Sequence, residues 1–306
     1  MAQAPAKAEQ LASLLTSAFQ KEAFRVDRSR PLTFVCGGNN SKGRTALRHQ
    51  FLDKVNKPPL SVIPVLAEET FAHQLVERNL QKFEEFLAHT ADCVLIFVES
   101  PGSFAETGLF AALKRTRGKT FIVNTRKEAA SNSFLNTGPI KLIRKHSDFD
   151  TVFELQEECV SDLDAKSIVE RIISTCPKYG NALVFHPPEK RFTNLDIRLQ
   201  LGCVHLTVSL MRAVSADLVT SVLRQYFREV DSEVIGMLLS LLKGIGLLGR
   251  ADELYFNAST EGLKNDALIK SVSFSEDQLR ARALEWQAQN NSHAATFIRE
   301  KLGVDL

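Results

Sequence analysis

Two carboxylates seven positions apart open the chemical question. In "VLIFVESPGSFAETG", Val94 to Gly108, an apolar run ends at Glu99, a Ser-Pro-Gly turn follows, and Glu106 enters what reads as a helix. A carboxylate near a helix start feels the positive end of the helix dipole and nearby backbone N–H groups, which favour its ionised form. An ionised, fixed carboxylate is the nucleophile that covalent attack on an anomeric carbon needs. Gly102 in the turn lets a substrate come close to the backbone. The same letters have a second reading. Ser103-Phe104-Ala105-Glu106 is an S-x-x-E capping box, in which the serine caps a backbone N–H and the glutamate reaches back. The local pattern leaves both open.

Other groups at strand ends add candidates. "CGGNN", Cys36 to Asn40, closes an apolar run, and the backbone N–H groups of Gly37, Gly38 and Asn39 are placed to hold a phosphate or a sugar edge. The spacing is not G-x-G-x-x-G, so the dinucleotide fingerprint is absent, and a plain tight turn is the competing reading. Arg48 follows in the next helix as a phosphate partner or a surface arginine. Glu68 and Glu69 end the second apolar run, where a carboxylate can bind a ribose or simply sit in a loop. Lys141, Arg144 and Lys145 form a basic cluster that reads as a phosphate contact or a solvated helix face. The five cysteines are scattered without a CxxC, so no metal site is expected and no cofactor is called for.

These residues need a scaffold that gathers strand ends. "LTFVCGG", "SVIPVLA", "DCVLIFV", "KTFIVN" and "DTVFEL" read as five strands separated by helical runs, among them "TFAHQLVERNLQKFEEFLAHT" and "FAETGLFAALKRT". Nearly continuous apolar strands alternating with helices predict an α/β, doubly wound parallel sheet, whose ligands bind beyond the carboxyl ends of the strands. Pro64 places the second strand at an edge or an irregular position. The Pro187-Pro188 pair marks a boundary. Beyond it come "LGCVHLTVSLMRAV", "ADLVTSVLRQYFREV" and "DSEVIGMLLSLLKGIG", then a short hairpin: the order of a mainly helical winged helix-turn-helix domain. The expected division is an N-terminal helix over 1–30, an α/β domain over 31–185, and the winged-helix part with C-terminal helices over 195–306.

At 306 residues with 44% hydrophobic and 24% charged side chains, the chain has material for two cores. No apolar run spans a bilayer and the N-terminus lacks a cleavable signal pattern, so a cytoplasmic protein without membrane contact is expected. From Leu195 onward there are 12 Lys+Arg against 14 Asp+Glu. That balance, and the apolar character of "SEVIGMLLSLLKG", disfavour a general DNA-binding regulator. The apolar surplus in "VIGMLLSLLKGIGLLG" points to a homo-oligomer or a hetero-complex.

"DCVLIFVESPGSFAETG" after "FVCGGNN", with "NTGPIKLIRK" downstream, resembles the nucleoside 2-deoxyribosyltransferase family, and more narrowly the deoxyribosyltransferase-like effectors of bacterial retron anti-phage systems. The resemblance is strongest from about Leu32 to Lys145. It implies that Glu106 attacks C1′ of a nucleoside, a nucleotide or NAD and displaces the base. It places Ser100 at the position of the family's sugar-binding aspartate, with Glu99 beside it and Ser103 in the same turn. It makes Glu84 a second acid near the base, and Asn136 and Gly138 contributors to the pocket. It further implies a toxin that faces a retron reverse transcriptase and msDNA through its winged-helix part. Because serine cannot carry the charge that grips two hydroxyls, the expected reaction is base release to water, an N-glycosidase activity, rather than transfer between bases. The competing expectation is a non-catalytic nucleotide sensor or adaptor that binds the reverse transcriptase–msDNA complex.

Overall fold

In the computed structural model, residues 13, 24–26, 30–41, 43–55, 62–71, 79–176, 191–258, 269–271 and 276–304 are described. The chain forms two compact units, one of residues 29–69 and 79–178, the other of residues 1–28, 70–78 and 179–306. The expected boundary at Pro187-Pro188 lies outside the described residues.

The first unit is built on five parallel strands: β1 (Leu32–Cys36), β2 (Ile63–Val65), β3 (Cys93–Phe97), β4 (Thr120–Thr125) and β5 (Val152–Leu155), in the order β2-β1-β3-β4-β5. All four pairings are parallel. Among the described residues β2, which carries Pro64, pairs with β1 alone and is the edge strand its proline requires. Val35, Leu95, Phe97, Phe121 and Val123 face one side, packed with Leu47 and Phe51 of α1 (Leu47–Val55) and with Ile168 and Ile172 of a later helix, Asp162–Thr175. The alternate residues face the other side, where Phe34 meets Phe110 edge-on at 5.8 Å. Strands buried on both faces are why their sequences are apolar without alternation.

The strand order reverses between β1 and β3, and in such sheets the crevice beyond those two strand ends is where ligands bind. Around it stand α2 (Ala67–Phe71), α3 (Leu80–Thr90) and α4 (Pro101–Ala112). The long helix expected over "TFAHQLVERNLQKFEEFLAHT" is not continuous. Asn79 is extended (φ −90°, ψ 107°) and its side chain accepts from the Lys82 N–H, so α3 starts at Leu80.

The second unit follows the order of a winged helix: helix Ile197–Met211, strand Ala213–Ser215, helices Ala216–Tyr226 and Ser232–Gly244, then strands Leu248–Ala251 and Leu254–Asn257. Its three strands form an antiparallel sheet in which Leu254–Asn257 lies in the middle. The strand Ala213–Ser215 replaces the end of a helix expected to run to Val214; Arg212 takes φ 63°, which stops the helix. The apolar surplus of the third helix is spent inside the chain: Ile235, Leu238, Leu239, Leu241 and Leu242 are fully buried. It therefore gives no ground for a homo-oligomer. Two helices, Glu276–Asn290 and Ser292–Leu302, close the unit. Of the N-terminal helix expected over 1–30, most lies outside the described residues; Phe24–Val26 is a strand paired antiparallel with Ile269–Ser271. Among the described residues no helix is long and apolar enough to cross a membrane.

Candidate active site

The turn between β3 and α4 is fixed by its serines. Ser100 is the N-cap of α4 and Ser103 its third residue. The Ser100 hydroxyl accepts from the Ser103 N–H at 3.2 Å, and the Ser103 hydroxyl accepts from the Ser100 N–H at 3.0 Å and the Glu99 N–H at 3.1 Å. The capping box is thus Ser100/Ser103, one turn earlier than the S-x-x-E reading, and Glu106 takes no part in it. Pro101 at the first helical position suits this start. Gly102 needs no special conformation; a Cβ there meets only the Ser100 hydroxyl, at 3.7 Å.

Glu99 is also accounted for by the fold. Its carboxylate accepts from the backbone N–H groups of Gly38 (3.0 Å), Leu47 (2.6 Å) and Arg48 (3.1 Å). The last two are first-turn donors of α1, so Glu99 caps that helix from across the sheet and ties it to the β1 end. This explains the two glycines: a Cβ at Gly37 would lie 2.7 Å from the Arg48 Cβ, and one at Gly38 would lie 3.1 Å from the Glu99 Cγ. The Gly38 N–H, expected to meet a phosphate or sugar, is already used. Asn40 completes the loop by accepting from the Ala46 N–H at 2.9 Å.

Glu106 lies six residues into α4 and is brought together with Glu84 of α3, Glu68 of α2 and Arg48 of α1, whose charges all act on it. Arg48 is buried; its guanidinium donates to Asn39 Oδ1 and pairs with Glu68, both at 2.6 Å. Asn39 and Arg48 therefore hold each other rather than standing open as separate ligand contacts. Burial, then the neighbouring Glu84 charge, raises the Glu106 pKa from 4.5 to about 7; Arg48 opposes this, and Glu68 adds a smaller rise. The helix start was expected to favour the ionised form of Glu106; it sits a turn too deep for the dipole, and desolvation shifts it the other way. Glu84 is itself raised, by burial first and then by Glu68. Cys36, at the end of β1, is a neutral thiol pushed up by burial and then by Glu106.

Two buried polar atoms of this cluster have no hydrogen-bond partner among the described residues: Glu106 Oε2 and Arg48 Nε. One accepts and the other donates. In a set of one cation and three carboxylates, that leaves an acceptor and a donor without partners at the strand-order reversal.

The "NTGPIKLIRK" segment lies elsewhere around α4. Asn136 opens a single π-turn, Asn136–Ile140, which runs into the helix Lys141–His146. Its side-chain NH₂ donates to the carbonyls of Glu128 and Ser131, both at 2.8 Å, and so ties its own loop together. Gly138 packs on the ring of Phe134, 3.4 Å from where its Cβ would be. Asn136 lines a cavity of about 490 Å³ with Phe104, Ala105, Gly108 and Leu109 of α4. At about 100° per residue, that flank of α4 is roughly a third of a turn from Glu106. Asn136 and Gly138 therefore do not join the Glu106 cluster. Lys141, Arg144 and Lys145 are exposed, and Arg144 pairs with Glu154 at 3.4 Å. The sequence reading missed Asn124, buried at the end of β4 against this cavity. Its only signal was a polar residue closing an apolar strand.

A family model described as STM3845 retron effector protein matches residues 44–250, which takes in parts of both units. The chain is 31% identical over 163 residues to a protein of Escherichia coli named as a candidate ribosyltransferase/DNA-binding protein of retron Ec86; the match covers 51% of this chain and 52% of that protein. It is 34% identical over 120 residues to the protein of the same description from E. coli retron Ec73, covering 37% of this chain and 38% of the relative. The chain thus matches about half the length, or less, of these curated relatives.

Proposed function

Starting from the premise that this chain belongs to the STM3845 retron effector family, we propose that it serves a retron anti-phage system as an N-glycosidase with Glu106 as its nucleophile. The supporting observation is the buried, unpartnered Glu106 Oε2 at the reversal of strand order, set among Glu84, Glu68 and Arg48. In this reading ionised Glu106 attacks C1′ of a nucleotide or NAD. The C1′–N bond breaks, its electron pair leaves with the base, and a sugar ester forms on the carboxylate. Water then attacks C1′, its proton passes to the released base or to solvent, the ester C–O bond breaks, and Glu106 is regenerated as a carboxylate. Glu84 is the second acid beside the nucleophile, and its charge tunes the pH at which Glu106 ionises. Arg48 supplies a fixed positive charge whose free Nε–H suits a sugar or phosphate oxygen. The names of the relatives support a ribosyl-transferring chemistry and contact with DNA. The partners proposed on that footing are the retron reverse transcriptase and msDNA.

A specific observation also favours the sensor reading. Ser100, Ser103 and Glu99 are consumed in capping α4 and α1, so no carboxylate beside the turn is free to grip sugar hydroxyls. A non-catalytic nucleotide-binding adaptor needs no such grip. The two readings part in one experiment: the purified protein, alone and with its reverse transcriptase–msDNA complex, is incubated with NAD and a nucleotide mixture, and free bases are measured by chromatography. The glycosidase reading expects base release that Glu106→Gln abolishes. Nucleotide binding without release, unchanged in Glu106→Gln, supports the adaptor instead.

A further inference from the structure

The five cysteines are scattered along the sequence, but the fold brings two of them together. Cys93 is the first residue of β3 and is 1% exposed. Cys176 directly follows the helix Asp162–Thr175. Its N–H donates to the Ile172 carbonyl at 2.9 Å, and its half-buried side chain packs on the core cluster that contains Cys93. The Cys176 thiol is hydrogen-bonded to that of Cys93, whose Sγ also donates to Thr33 Oγ1 at 3.4 Å. Lys119 donates to the His89 and Ala91 carbonyls, and its charge acts on both sulfurs. A cation beside a thiol favours the thiolate. The two sulfurs differ in access. Burial, and then the hydrogen bond with Cys176, keeps Cys93 a neutral thiol, whereas Cys176 is open to solvent. An accessible thiol beside a cation, with a second thiol behind it, is the arrangement of an attacking and a resolving cysteine.

We propose that Cys93 and Cys176 are a site of reversible oxidation, closed to a disulfide by a hydroperoxide. The Cys176 sulfur attacks one peroxide oxygen and the O–O bond breaks. The leaving oxygen takes up the thiol proton, departing as water when the oxidant is hydrogen peroxide, and a sulfenic acid remains on Cys176. The Cys93 sulfur then attacks the Cys176 sulfur. The S–O bond breaks, the hydroxyl leaves as water with the Cys93 proton, and the S–S bond forms. Two electrons pass from the thiol pair to the peroxide, and a dithiol returns them on reduction. The link would tie the start of β3 to the end of the helix Asp162–Thr175, three residues before the chain passes into the second unit at Tyr179. Cys93 lies at the amino end of β3, whereas Glu106 stands beyond the carboxyl ends, so the site needs no assumption about whether Glu106 is a nucleophile.

The test is peptide mapping by mass spectrometry, without reduction, of the folded full chain after treatment with hydrogen peroxide. A peptide that links Cys93 to Cys176 is expected, and dithiothreitol is expected to restore both thiols. Cross-linking residues far apart in sequence constrains the unfolded chain, so the oxidised form is expected to unfold roughly 5–10 °C higher than the reduced form. Cys159→Ser removes an exposed thiol outside the pair and is expected to keep the link. Cys176→Ala, at a half-buried position, is expected to abolish both the link and the rise in midpoint while the reduced protein still folds. The proposal is overturned if peroxide adds oxygen to Cys159 or Cys176 and leaves the pair unlinked. It is equally overturned if the link forms in urea but not in the folded protein, or if Cys176→Ala shows the same rise in midpoint on oxidation.

Discussion

The two flanks of helix α4 are opposites in construction. On one, Glu106 meets Glu84, Glu68 and Arg48, four charged residues delivered by four helices to the reversal of strand order. On the other, Phe104, Gly108 and Leu109 face a mostly apolar cavity closed by a loop that Asn136 ties together. The charged flank concentrates uncompensated charge in a low-dielectric place, which shifts pKa values and favours bond-making chemistry. The other flank offers mostly apolar area with a few polar side chains at its edge, among them Glu128, Ser131 and Ser133. A single helix therefore presents a charged flank and an apolar flank about a third of a turn apart.

The comparison breaks most readily at Arg48. Arg48→Met leaves three neighbouring carboxylates with no positive charge among them, and breaking a buried ion pair costs about 3–5 kcal/mol. Since Glu68 is half exposed, the lower end, about 3 kcal/mol, is expected, read from the urea midpoint at pH 7.

Glu106→Gln acts in the opposite direction and with a pH signature. A carboxyl raised on folding from 4.5 to about 7 contributes stability below pH 4.5 that is lost as pH rises through 7. The glutamine variant lacks that loss. At pH 8 it is expected to exceed the wild type by up to about 3 kcal/mol, at 1.36 kcal/mol per pKa unit, with the gap closing near pH 5. A gap independent of pH would assign the effect to packing instead.

Glu99→Gln tests a carboxylate whose work is structural. Replacing a charged acceptor of three backbone N–H groups by a neutral one is expected to cost about 1.5–3 kcal/mol, with faster hydrogen exchange at Gly38, Leu47 and Arg48. The smallest effect belongs to the apolar flank. Gly108→Ala adds a methyl group to open space and is expected to stabilise the chain by about 0.8–1 kcal/mol, seen as a rise in Tm.

Much of the scaffold was legible because parallel strands buried on both faces leave near-continuous apolar runs, and Pro64 marked its own edge position. Glu106 was legible as a carboxylate after a strand and a turn. Its partners were less so, because Glu84, Glu68 and Arg48 meet only through the sheet topology. The sequence misled where one letter pattern serves two geometries. Ser103-x-x-Glu106 matches a capping box, yet Ser100 caps the helix, because Pro101 favours a start three residues earlier. Gly37 and Gly38 read as a ligand cradle, whereas they make room for Arg48 and Glu99. The cavity at Asn124 left no motif, since apolar linings look like core until their neighbours are known.

The central claim, that Glu106 is a nucleophile set by its charged neighbours, is tested most directly by the pH dependence of base release. Wild type, Glu106→Gln and Glu84→Gln are assayed from pH 5.5 to 8.5 with NAD and the nucleotide mixture, in the presence of the reverse transcriptase–msDNA complex. The account predicts a wild-type rate that climbs with pH through about 7 as Glu106 ionises, and no release from Glu106→Gln at any pH. The climb in Glu84→Gln lies at lower pH, because the charge that raises Glu106 is gone. Release by Glu106→Gln at the wild-type rate would contradict the account.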